Sequence, residues 1–467
     1  MKALSISIIF IAAITCSASP NFIFMLSDDQ DWAGLSVQMH PEKPGSKSAT
    51  AQTRNIARLA SEGIRFSAAY APASVCSPTR VSLQTGRSPA ALQWTKAAPT
   101  VTARDGFKMI SPTLRKNIAS EEVTLAELLK GLGYATAHYG KWHIGGGGPE
   151  AHGYDESDGD TGNGDAEPFK DPNPVDIFGM GERAKAFMKK HVAVKKPFYI
   201  QLSYHALHYP QNASAAARAK YTRLLPGERE SVIGRAAITD DLDRGVGVIM
   251  DAVEELGLLE STYLIYMSDN GGGGKKGGRL LSGGKGSVWE GGIRVPLIIR
   301  GPGIAMNSWC HERVVGYDLL PTLYKMAGGD GPLPSGIEGG DFSHLLRGGD
   351  APVKRPREEL VFHFPHYQSS DGPHTSMLLG DYKLIHFFES GENKLFKLDE
   401  DIGEAANLAR EDPARTQEMY VRLKNYLSAV NAQWPVENPQ YDPDHSPDLK
   451  SAKRSGGKRG KKPRRQP

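Results

Sequence analysis

Apolar runs that stop abruptly in clusters of Asp, Asn, Lys and His recur along the first 300 residues of this chain. Residues 21–26 run into Ser27, Asp28, Asp29 and Gln30, and 134–139 into Gly140, Lys141, Trp142 and His143. Residues 197–203 lead to His205 and His208, 262–267 to Ser268, Asp269, Asn270 and a glycine run, and 295–299 is a further run of this kind. Short apolar stretches bounded in this way predict buried strands. Helical patterns lie between them. Thr53 stands as cap to 54–62 with Gly63 at the stop, and Thr124 with Glu127 forms a capping box ahead of 125–131. Over 238–256, Ile238, Leu242, Val246, Ile249, Val253 and Leu256 keep one apolar stripe.

Strands alternating with helices predict an α/β fold, with a large mixed, mostly parallel sheet sandwiched by helices. Ligands of such sheets sit beyond the carboxyl ends of the strands, where the polar clusters fall, so the clusters are candidates for one shared site. From about residue 350 the pattern changes to closely spaced strands at 377–379, 383–388 and 394–398 and a helix over 413–430. That predicts a smaller antiparallel sheet with a packed helix. The acidic, glycine-rich stretch 155–176 reads as a long surface loop.

The ends differ from the body. Lys2 precedes an apolar run at 3–14 and the small residues Cys16, Ser17 and Ala18, which reads as a signal peptide and predicts a periplasmic or secreted protein. The run is too short to span a membrane, and no other stretch approaches 18 apolar residues. The net charge of +3 over 467 residues is nine positive charges within 450–467 set against −6 over 1–449. A tail of that composition cannot bury a face and is expected to be disordered, with polyanions as candidate partners. The organisation expected is a signal peptide at 1–19, a main α/β domain at 20–345, a smaller α+β unit at 346–440 and a basic tail at 441–467. Beyond the signal, one disulfide could join Cys76 and Cys310, but a chain this long does not need one.

Asp28 and Asp29 directly follow a strand, where adjacent carboxylates repel unless a cation stands between them. Asp269 and Asn270 repeat the situation, and three carboxylates with an amide form a hard-oxygen set suited to Ca²⁺ or Mg²⁺. Arg80, Lys141, His143, His208 and Lys285 gather cationic and proton-transferring groups near the same strand ends, a set suited to a tetrahedral anionic ester. His205 and His208 are either both functional or one functional and one packed.

Cys76, Ser77, Pro78, Thr79 and Arg80, followed by Thr85, Gly86 and Arg87, form a CxPxR signature with a TGR element, with Gln84 where Leu or Met is usual. Further motifs are GKWHIG at 140–145, HYP at 208–210, SDNGG at 268–272, GKGSVWEGGIRVP at 284–296, YKLI at 382–385 and DxGExxNLA at 401–409. On these motifs the chain, over about residues 20–410, resembles the formylglycine-dependent, arylsulfatase-like type I sulfatases of the alkaline phosphatase superfamily.

The resemblance implies an alkaline phosphatase-like fold and hydrolysis of sulfate esters, with Cys76 oxidised to formylglycine by a generating or maturase enzyme. The hydrated aldehyde attacks sulfur, the alcohol departs, and elimination releases sulfate. It also implies Ca²⁺, in preference to Mg²⁺, held by Asp28, Asp29, Asp269 and Asn270 and touching modified Cys76. Arg80 and Lys141 would orient the nucleophile, His143 would be the base for elimination, and His208 and Lys285 would grip sulfate and assist the leaving oxygen. The expected substrate is a sulfated carbohydrate, with His363, His366, Tyr367 and His374 as candidate pocket lining; no specific nucleic acid is expected. A phosphomonoester or phosphonate ester hydrolase, and a non-catalytic sulfated-glycan binding protein with unmodified Cys76, remain as alternatives.

Overall fold

The computed structural model of the chain describes residues 19–97, 107–272, 280–368 and 370–445. The expected signal peptide, with Cys16, and the basic tail from residue 446 onward lie outside the described residues. Eight strands make the main sheet: β1 (Asn21–Ser27), β2 (Ile64–Phe66), β3 (Ala135–Gly140), β4 (Glu156–Ser157), β5 (Phe198–Ser203), β6 (Thr262–Ser268), β7 (Leu297–Arg300) and β8 (Ser308–Cys310). Their spatial order is β8-β2-β7-β6-β1-β5-β3-β4, and β7 is the strand that runs against its neighbours. The remaining pairings are parallel.

β1 is buried along its whole length because both faces of the sheet are covered. Phe22, Phe24 and Leu26 enter one core layer and Ile23 and Met25 the other, as the two-residue period of a strand requires. Side chains from α1 (Arg54–Ser61), α4 (Ile177–Ala193) and α6 (Glu230–Glu255) close the second layer. Those of α2 (Cys76–Thr85), α3 (Leu125–Gly131) and α8 (Leu319–Met326) close the first. α5 (Ala215–Leu224) packs Ala217 and Tyr221 against Ile233, Ala236 and Ala237, which extends α6 to Glu230, eight residues ahead of its expected start.

Other departures from the sequence reading have local causes. Thr53 precedes α1 without capping it, because its hydroxyl accepts the amide of Ser36 at 2.9 Å. The capping box of Thr124 and Glu127 forms as expected. The run at 295–299 becomes β7, which is reversed because its connection from β6 stays at one end of the sheet. There Gly271 N donates to Gly292 O at 2.9 Å, just before the four-residue α7 (Glu290–Ile293) hands the chain to β7. The acidic stretch 155–176 contributes β4 as well as loop.

The smaller sheet is an antiparallel meander of β9 (Leu360–Phe364), β10 (His374–Leu379), β11 (Tyr382–Phe387) and β12 (Asn393–Lys397), one strand more than the pattern predicts. Asp412 caps α9 (Pro413–Ala429) by accepting the amide of Arg415 at 3.0 Å, with Pro413 at the first helical position. Met419, Leu423 and Leu427 of α9 cover Val361, Met377, Leu384 and Leu395, and burying each leucine contributes about 1.5–3 kcal/mol. The opposite face, with Phe362, Phe364, Leu378, Ile385 and Phe396, lies on Tyr70, Val75, Val288, Ile293 and Tyr317 of the main unit. The small sheet therefore rests on the segments that flank residues 76 and 285. Cys76 and Cys310 are both free and buried, so the disulfide considered above is not formed. Among the described residues no helix is long and apolar enough to cross a membrane.

Candidate active site

Strand register assembles the site. Ser27 stands opposite Ser268 in the parallel β1–β6 pair, so Asp28 and Asp29 leave their strand beside Asp269 and Asn270. On the other side Leu26 pairs with Ser203 and Ser203 with Gly140, which brings Lys141 and His143 to the same edge. Gly140 permits that approach: at φ +89°, a Cβ there would lie 2.2 Å from Ser203 O. Cys76 is the first residue of α2, where unpaired helix N–H groups and the helix dipole present partial positive charge. The far end of α2 is fastened by Gly86, left-handed at φ +68°, and by Arg87, whose guanidinium meets Glu122 at 2.6 Å.

These side chains form one buried network. Cys76 Sγ lies 3.3 Å from Asp28 Oδ1 and 3.4 Å from Lys285 Nζ, and Lys285 Nζ donates to Asp29 Oδ2 at 2.8 Å. Lys141 Nζ donates to Asp28 Oδ2. Arg80 donates from Nε and Nη2 to Asp269 Oδ2 and from Nη1 to Lys141 O. Asp269 Oδ1 accepts the amide of Asp29 at 3.1 Å, and Asn270 Nδ2 donates to Asp29 Oδ1 at 2.8 Å. His143 reaches the cluster through Ser77, whose Oγ is 3.3 Å from its Nδ1. Asp29 and His143 have φ of +63° and +62°, a backbone state that costs a non-glycine residue about 1–3 kcal/mol and persists only where surrounding bonds over-determine it.

Charge and burial set the protonation states. Burial alone would raise Asp28, but Lys141, Lys285 and Arg80 outweigh it and hold the carboxyl well below the usual range. Burial, reinforced by Asp28, pushes Asp269 up to about 6. Burial, with Lys141 and Arg80, lowers His143 to about 3, so its ring is neutral at ordinary pH. His208 is lowered as well, mainly by burial, and it senses the charges of Asp28, Lys141, Lys285 and Asp29. Burial, with Asp269 and Asp28, drives the Cys76 thiol well above its ordinary range, so as an unmodified thiol it is a poor nucleophile.

Ligand atoms from Asp28, Asp29, Cys76 and Asp269 all lie within 4.8 Å of one another. Asn270 Oδ1 is a fully buried acceptor that receives no hydrogen bond. An orphaned amide oxygen beside three clustered carboxylates, one of them raised by its neighbour, fits a hard divalent cation.

The structure thus brings together Asp28, Asp29, Cys76, Arg80, Lys141, His143, Asp269, Asn270 and Lys285, with His208 half-buried within reach of their charges. Both histidines of the HxxH pair feel the charges of the cluster: His205 is buried and lowered to about 3 by burial and Lys141, and Asp28, Arg80 and His208 act on it too. His363, His366, Tyr367 and His374 turn inward: His363 pairs with Gln433 O, His366 with Thr95, Tyr367 with Glu389, and His374 with the amide of Val288. Two contributors are absent from the sequence reading. Ser77 lies inside the signature, where a neighbour of the nucleophile could have been flagged. Thr161 carries no signal, yet its carbonyl accepts the amide of His143 at 2.7 Å and its hydroxyl accepts that of Trp142 at 3.0 Å.

A family model described as Sulfatase matches residues 20–329, and one described as N-sulphoglucosamine sulphohydrolase, C-terminal, matches 284–433. The chain is 31% identical over 430 residues to human (Homo sapiens) arylsulfatase A, covering 81% of this chain and 77% of that protein. Among solved structures it resembles Ps i-CgsB in complex with k-i-k-neocarrahexaose, at TM-score 0.72 and 23% identity over 88% of this chain and 93% of that one. It also resembles BT4656 in complex with its substrate D-glucosamine-2-N,6-O-disulfate, at TM-score 0.65 and 19% identity over 88% and 98% of the two chains.

Proposed function

Since the chain belongs to the sulfatase family and is a sulfuric ester hydrolase, we propose that it is an exported enzyme that removes sulfate from carbohydrates through formylglycine at position 76 and a bound Ca²⁺. The carrying observation is Cys76 at the start of α2, in contact with Asp28 and Lys285 inside a buried group of oxygen donors. Its Sγ stands where a formylglycine oxygen would be. Formylglycine supplies a hydrated aldehyde that can accept and then release sulfate, and the cation supplies positive charge where the transferring group is negative.

In this reading Asp28, Asp29, Asp269 and Asn270 hold the cation. Arg80 braces Asp269, and Lys141 does the same for Asp28, which keeps that carboxyl ionised. Lys285 presents its ammonium to a sulfate oxygen. His143, neutral and steered by Ser77 and Thr161, takes a proton from residue 76. His208, on the more open side, serves the leaving oxygen. A sugar substrate is supported by the disulfated glucosamine named for one structural neighbour. The residue-76 peptide from the native host should carry an aldehyde in mass spectrometry, and Cys76→Ala should lose turnover while remaining folded. An unmodified thiol in active enzyme, or substantial activity in Cys76→Ala, contradicts the assignment.

A further inference from the structure

A second buried charge cluster lies behind the loop that carries Lys285. Glu290 Oε1 accepts from Lys383 Nζ at 2.9 Å, and its Oε2 accepts from Arg294 Nε at 2.7 Å and from the Tyr70 hydroxyl at 3.0 Å. Lys383 Nζ also pairs with Glu404 Oε1 at 2.8 Å, and Glu404 Oε2 accepts the backbone amide of Glu290 at 2.8 Å. Two acids and two bases meet here, and none of them is more than 5% exposed. Taking such ionisable groups out of water is costly, and apolar residues of similar volume would fill the space with equal or better stability. Stability alone does not account for the cluster. What it does uniquely is fix direction, because it ties the end of the 282–290 loop to β11 and to the turn after β12.

The same loop is held at three more points, two on the small sheet and one on the turn that follows it. Val288 N donates to His374 Nε2 at 3.0 Å, Ser376 Oγ donates to Val288 O at 3.3 Å, and Ser282 Oγ donates to Gly403 O at 2.7 Å. On the nucleophile side Gly286 N donates to Ser74 O at 2.8 Å, and Lys285 N donates to Gly272 O at 3.1 Å. Lys285 therefore sits in a short strap with one edge on the α2 approach and the other on the small sheet.

We propose that Glu290, Lys383 and Glu404 are positioning residues for Lys285, a charged clasp through which the smaller sheet sets where the ammonium meets sulfate. The inference rests on the sulfate-binding role given above to Lys285. The test is a double-mutant cycle on the full-length enzyme, reading the dissociation constant of inorganic sulfate by calorimetry and KM and kcat on p-nitrophenyl sulfate. Lys383→Met should weaken sulfate binding about tenfold in the wild-type background and less than about twofold in the Lys285→Ala background, because a residue acting through another is non-additive with it. Lys383→Arg, which keeps the charge, should recover most of the affinity. An equal factor in both backgrounds overturns the inference while leaving Lys285 in its role. If Lys285→Ala leaves sulfate affinity unchanged, that role itself falls, and the inference with it. Should Lys383→Met not fold, Glu404→Gln runs the same cycle, with an expected loss of about threefold that vanishes in Lys285→Ala; equal losses again overturn it.

Discussion

Arg80 donates to a single oxygen of Asp269 from both Nε (3.2 Å) and Nη2 (2.8 Å). A lysine ammonium cannot reproduce that fork or the third bond to Lys141 O, and breaking a buried ion pair costs about 3–5 kcal/mol. Arg80→Lys should therefore lower kcat/KM by at least about a hundredfold and lower Tm as well. Steady-state kinetics with thermal unfolding checks both, and retention of activity within a factor of ten contradicts the role.

Binding of the proposed Ca²⁺ should depend on pH through Asp269. Its folded-state value of about 6 exceeds its ordinary 3.8, so the metal-free native protein holds a proton that the unfolded chain releases. Without metal, stability should then fall as pH rises from about 4 to 6, by on the order of 3 kcal/mol. A Ca²⁺ ion held as proposed must displace that proton, so its dissociation constant should be about tenfold weaker at pH 5 than at pH 8. Calorimetry at the two pH values measures this, and a pH-independent constant rules it out. Asn270→Ala should weaken the ion at both.

Glu404 and Glu290 predict opposite pH slopes from one cluster. Burial raises Glu404 to about 7, so its contribution to stability declines as pH rises from about 4.5 through 7. Glu290 is lowered to about 2 because Lys383 and Arg294 outweigh its burial, so its contribution is complete above about 4.5 and lost as pH falls toward 2. Glu404→Gln should flatten the slope of urea-unfolding free energy between pH 5 and 8 and leave the acid limb in place. An unchanged slope would remove Glu404 as its source.

Gln84 should resist replacement by the residue usual at its position. Its Nε2 donates to Gln201 Oε1 at 2.8 Å, and its Oε1 accepts from the Tyr154 hydroxyl at 3.0 Å, all of them buried. Gln201 is bonded in turn to Tyr199 and to Ser203, which meets His138. Gln84→Leu removes one donor from Gln201 Oε1 and one acceptor from the Tyr154 hydroxyl, each of which keeps another partner, and should cost about 0.5–1.5 kcal/mol. Denaturant unfolding decides, and a stabilised variant would show the network to be dispensable.

The parts of the site legible in the sequence are those whose signals are contiguous. Asp28 and Asp29, Asp269 and Asn270, and the Lys141–His143 pair each follow a strand directly, so finding the strand finds the residues. What escaped reading depends on contacts between distant segments. The period of β7 is the same in either direction, so its reversal had no local mark. Thr161 lies in a glycine-rich stretch without periodicity, and the Thr53 hydroxyl is taken by Ser36, 17 residues earlier. Glu290, Lys383 and Glu404 each stood in a visible motif, but only folding shows that the three motifs meet.

Because the small sheet completes the setting of Lys285, the site also has a schedule. At 5–20 residues per second, Glu404 leaves the ribosome roughly 330 residues and about 15–65 s after Cys76. Cys76 is 2% exposed once the chain is folded. Whatever must reach its sulfur is best served in that interval, before the small sheet has fixed the strap that sets Lys285 against it.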